Sequence, residues 1–240
     1  MIALFRKELS SFFSSLIGYL VLIVFLLATA LFLFVFDGDL NILNSGYANI
    51  DGLFILAPWI FLFLIPAISM RFYSEESKSG TMELLLTMPI SDRSIVLGKY
   101  FAGLLLLLFA LLPTILYYIT IYSLGSPVGN IDTGATVGAY IGLICMGGMY
   151  LAIGTFISSL TDNQIIAFIL TAVSCFVLYI GFDFVAELLP SLSFLSTLGI
   201  QEHYASISRG VVDTRDLIYF IGFIVLFLYF TTLSIAKKRK

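Results

Sequence analysis

Six runs of mostly apolar residues partition this 240-residue chain, at 16–36, 53–70, 100–124, 135–159, 164–182 and 217–236. A helix rising about 1.5 Å per residue needs about 20 residues to cross about 30 Å of hydrocarbon. Barrel strands would be half as long and would alternate in polarity, so the runs predict membrane-spanning helices. With 60% of residues hydrophobic and 11% charged, there is too little polar surface for a water-soluble fold. The predicted class is all-α integral membrane, one domain over 1–240 with six transmembrane helices. Arg6 and Lys7 precede the first run, but its length and the want of a small-residue cleavage site predict a retained anchor.

Ten of the twelve basic residues fall on one side of this topology: Arg6, Lys7, Arg71, Lys78, Arg93, Lys99, Lys237, Lys238, Arg239 and Lys240. Only Arg209 and Arg215 fall on the other. The asymmetry predicts that both termini and the loop 71–99 are cytoplasmic, which an even number of spans requires. The net charge of −3 averages a basic inner face with an acidic outer one. Basic residues spent at helix ends give no support to nucleic-acid binding. Cys145 and Cys175 lie inside spans as small hydrophobes and imply no disulfide.

The connections are informative. In 1–15, Ile2, Phe5, Leu9, Phe12 and Phe13 recur at short helical intervals, which predicts an interfacial helix on the cytoplasmic surface. The stretch 183–216 is too apolar for a solvated linker and too interrupted for a span. It is expected to form short helices in the outer leaflet at 184–190, 192–195 and 203–212. In the fourth span Gly134, Gly138 and Gly142 recur every four residues, the pattern of a helix-packing face.

Sites for chemistry are missing. Gly98-Lys99 runs into Tyr100 and has Arg93 where the first glycine of a Walker loop should stand. His203 has no second histidine or thiolate cluster in the sequence, so no metal site is expected. No intramembrane Ser–His or Asp–Asp pair can be assembled, and the spans lack mid-membrane ionisable groups. The chain is expected to be non-catalytic, without a cofactor.

The loop 71–99 balances Arg71, Lys78, Arg93 and Lys99 against Glu75, Glu76, Glu83 and Asp92, so it is not a polybasic lipid patch. Met82, Leu85, Leu86 and Met88 can line one side of a two-turn helix that stops before Pro89, and Ser91 and Asp92 suit the cap of the next helix. A membrane chain offers no soluble core to receive those leucines. The helix is therefore expected to dock on a partner.

The run Glu75/Glu76, Gly80-Thr81, Glu83-Leu84-Leu85-Leu86-Thr87, Pro89-Ile90-Ser91, then Leu97-Gly98-Lys99 resembles the hallmark of ABC-2 type permeases. The resemblance covers the whole chain and is most specific over 71–99. The stretch from Ser206 to Asp213 and the compact size are similar to the gliding-motility-associated permeases of Bacteroidota. The resemblance implies a bacterial inner-membrane transporter of two permease and two ATPase subunits, with ATP hydrolysed on the separate ATPase chain. It implies an ATPase-coupling role for Glu75, Glu76, Gly80, Thr81, Met82, Glu83, Leu85, Leu86 and Pro89, and a connecting role for the N-terminal helix. It favours a non-identical second permease over a second copy of this chain. The alternative is a membrane anchor or mechanical adaptor for an ATPase, through which nothing crosses.

Overall fold

In the computed structural model the described residues are 1–189, 194, 196–210 and 213–239. The expected helices at 184–190, 192–195 and 203–212 therefore lie in part outside them, at 190–193, 195, 211 and 212. A surface helix α1 (Ile2–Phe13) leads into α2 (Leu16–Ala30), whose first turn is capped by Ser15 Oγ accepting from Gly18 N at 3.3 Å. The helix closes in a π turn, Leu31–Val35, where Phe36 N–H reaches back to Leu31 O at 2.8 Å. A polar loop returns to α3 (Asp51–Ser69).

Pro66 cannot donate to the helix ladder, and α3 ends three residues beyond it, at Ser69. The chain restarts as α4 (Arg71–Lys78), leaving first-turn amides without partners. Ser158 supplies one from another span: its Oγ accepts from Tyr73 N at 3.1 Å and Ser74 N at 3.2 Å. Gly80, at φ +71°, then reverses the chain into α5 (Thr81–Thr87). Met88 and Pro89 end that helix, and Ser91 Oγ caps α6 (Asp92–Leu111), accepting from Ser94 N at 3.4 Å.

Pro113 interrupts the third span with a 3-10 turn, Leu112–Thr114, before α7 (Ile115–Leu124). Asp132 caps α8 (Thr133–Leu160), and Asn163 caps α9 (Gln164–Phe176). A π turn, Val177–Gly181, joins α9 to α10 (Phe182–Leu188). Then come α11 (Ile200–Ser208) and α12 (Thr214–Lys238). Among the described residues six helical stretches are long and apolar enough to span a bilayer, the expected architecture. Several are longer than their apolar runs, the third reaching from Asp92 to Leu124.

At the centre stands α8, with 78% of its most apolar window buried against 17% for α12. It packs against α3, α4, α6, α9, α11 and α12, and its small residues admit them. A Cβ on Gly147 would meet Leu107 at 2.5 Å, and one on Gly154 would collide with Ser69. Such close approach is how helices associate in lipid, where burying apolar surface gains little. The glycine stripe is divided. Gly138 and Gly142 seat α11, their added Cβ atoms falling 3.0 Å from Gly210 Cα and 3.2 Å from Ile207 Cγ2. Gly134 is exposed and has only the capping Asp132 beside it.

Candidate functional site

Charge gathers at the end of the bundle that holds both termini and the loop 71–99. Leu4, Glu8 and Phe12, spaced by four, form the buried face of α1. Of the residues read from the sequence as one apolar face, Phe12 is buried, Phe5, Leu9 and Phe13 are half-buried and Ile2 is exposed. A glutamate on a buried stripe needs a cation, and Lys99 of α6 supplies it. Lys99 Nζ, fully buried, sits 2.9 Å from Glu8 Oε1 and 3.0 Å from Glu76 Oε2 of α4. Lys7 Nζ lies 2.7 Å from Glu76 Oε1 and 3.7 Å from Glu8 Oε1, so two ammoniums balance two carboxylates.

Burial alone would lower the Lys7 pKa, but the carboxylates of Glu76 and Glu8 outweigh it and hold the ammonium above its ordinary 10.5. Desolvated charge clusters add little net stability but are costly to break, so they fix geometry. Here α1, α4 and α6 are locked to one another. A second tie reinforces the first: the Arg71 guanidinium donates to both carboxylate oxygens of Glu75, at 2.6 and 3.1 Å, and to Ser15 Oγ at 2.8 Å.

The C-terminal end of α12 closes the ring. Arg239 reaches Asp92 Oδ1 at 3.0 Å and donates to Ile90 O at 3.0 Å. Asp162, between α8 and α9, accepts from Ser77 Oγ and lies 3.9 Å from Lys238 Nζ.

Inside this frame α5 packs on α4. Met82 and Leu85 are buried and Leu86 is half-buried, which overturns the premise that the chain has nowhere to put these side chains. Glu76 is likewise turned inward to the lysines, and Glu75 is held by Arg71. Thr81, Glu83 and Pro89 face outward with Leu84, 65% exposed, and Met88, 48% exposed. Lys7, Glu8 and Lys99 went unrecognised in the sequence as a cluster. The available signal was the four-residue spacing that puts Glu8 between Leu4 and Phe12.

Residues 2–235 match the family model described as ABC-2 family transporter protein. The chain belongs to the ABC-2 family. No curated protein matches it. ABC-2 permeases are membrane components, not catalytic ones, and the family generally works with an ATPase subunit and the lipid bilayer. Six apolar helices among the described residues and membership of the ABC-2 family make the chain a multi-pass membrane protein.

Proposed function

We propose that this chain is the permease subunit through which a separate ATPase drives an ABC-2 transporter in a bacterial inner membrane, and that the transporter serves gliding motility. The observation that carries the reading is the buried cluster of Lys7, Glu8, Glu76 and Lys99 at the root of a helix that leaves Leu84 and Met88 uncovered. Closure of an ATPase pair on α5 pushes α4, and the cluster passes the push to α1 and α6 as one rigid body. In this scheme Leu84, Met88, Thr81, Glu83 and Pro89 meet the ATPase. Met82, Leu85 and Leu86 hold α5 to its own chain, Glu75 and Glu76 anchor α4, and Gly80 sets the turn.

The excess of basic residues at the terminal end supports a cytoplasmic location for both termini and the coupling loop. The spans offer no charged route within one chain, so a substrate path belongs at an interface with a second permease subunit. The likeness of 206–213 to gliding-motility permeases favours a non-identical partner.

Leu84→Asp tests the docking role. A carboxylate buried unpaired at the contact should reduce recovery of a co-expressed ATPase in a detergent pull-down and its stimulated hydrolysis. The variant's own thermal unfolding should stay as in the parent. Unchanged recovery and unchanged hydrolysis would remove α5 from the contact.

A further inference from the structure

His203, the single histidine of the chain, lies on α11 between two acceptors at the end of the bundle opposite the termini. Its Nδ1 is 2.6 Å from Asp216 Oδ1 in the first turn of α12, and its Nε2 is 2.9 Å from the Thr197 carbonyl. The ring stacks on Tyr219 at 3.9 Å. A carbonyl oxygen only accepts, so Nε2 carries a proton. A bare lone pair on Nδ1 facing a carboxylate oxygen at 2.6 Å would repel it, so a second proton lies between those atoms. Both contacts are satisfied together only when the pair holds one proton more than a neutral imidazole beside an ionised aspartate. Asp216 is buried, and among the described residues its Oδ2 has no hydrogen-bond partner to share that charge.

The other titratable groups around the ring are few. Tyr219 shares α12 with Asp216 and donates to Leu198 O at 2.7 Å. Glu202 precedes His203 on α11, and Asp183 of α10 lies beside Gly199 and feels the charge of Glu202. Asp213 and Arg215 flank the start of α12, and Arg209 donates to Ala205 O at 3.0 Å. Tyr179, in the π turn, lines the same cavity as Tyr204 of α11. None of these donates to the Asp216 oxygen that faces His203.

We propose that His203 and Asp216 form a proton-operated latch on the distal cap of the bundle. With the shared proton in place, one ring ties the turn at Thr197, helix α11 and the start of α12 together. When that proton leaves, the charge-assisted Nδ1–H···Asp216 bond is the stronger and is kept. Nε2 then turns a lone pair toward the Thr197 carbonyl, and that contact opens. The latch is closed while both ring nitrogens carry a proton and opens when rising pH removes the second one. It acts on a cavity of about 510 Å³ between α3 and α11, lined by Trp59, Tyr179, Tyr204 and Arg209. Because α11 is both wall and latched element, the proton sets how firmly that wall is held. The latch requires nothing of an ATPase.

The test is imidazole ¹⁵N NMR of the full chain in nanodiscs, where one histidine gives one unambiguous pair of signals, with amide exchange over 196–205 corrected for intrinsic rate. At low pH both nitrogens should be protonated or share the Asp216 proton. Protection of 196–205 should fall at least about tenfold through the same transition, the worth of one hydrogen bond to a charged group. His203→Gln serves one acceptor at a time and should show the weaker protection at every pH. Asp216→Asn, a second variant should the first not fold, should move the transition to lower pH. A ring neutral throughout at unchanged protection, full protection in His203→Gln, or an unmoved transition in Asp216→Asn would overturn the latch.

Discussion

Lys99 is the residue on which the terminal end depends. Lys99→Met leaves Glu8 and Glu76 with only the exposed Lys7 and should cost about 3–5 kcal/mol, the range for removing one partner of a buried pair. The check is the unfolding midpoint of the variant in detergent. Adding Glu8→Gln to Lys99→Met should recover part of the loss, because the uncompensated charge is then gone. An unshifted midpoint in Lys99→Met would mean that the cluster holds nothing. Lys7 acts with a definite sign: its pKa is raised, so its contribution is complete below 10.5 and fades as pH climbs through the raised value. The cluster was hidden in the sequence because Lys99 stands at the mouth of a span, where lysine ordinarily anchors to headgroups. Its partner Glu8 is 91 positions away. His203 and Asp216 were hidden for a related reason, since their 13-residue separation crosses a turn whose course no periodicity specifies.

At the scale of elements, the spans were legible because each must be long and apolar to cross lipid at all. The stop before Pro89 and the cap at Ser91 were legible because the signals are local. The apolar side of α5 was read as Met82, Leu85, Leu86 and Met88, but that it turns inward and that Met88 leaves it were not legible, since only packing on α4 decides them. That Gly138 and Gly142 seat α11, a helix outside the spans, was not legible, because a small-residue spacing does not name what approaches it. Gly138→Leu should lift α11 and destabilise the chain by about 1–3 kcal/mol through overpacking, whereas Gly134→Leu should be close to neutral. Thermal unfolding, with amide exchange over α11, separates the two. Equal effects would mean that α11 does not depend on the stripe.

For the molecule as a whole, we infer that α5 meets an ATPase with its outer face while its inner face holds the chain together. The frame around it, from Arg71 and Glu75 through the lysine cluster to Arg239 and Asp92, leaves α5 the exposed part of a braced end. Site-directed photo-crosslinking to the co-expressed ATPase in nanodiscs reads that geometry directly, with a photoreactive side chain placed singly at Leu84, Met88, Met82 or Leu85. The expected result is a covalent adduct with the ATPase from positions 84 and 88 and none from 82 and 85. Adducts from the inward pair alone, or from none of the four, would contradict it.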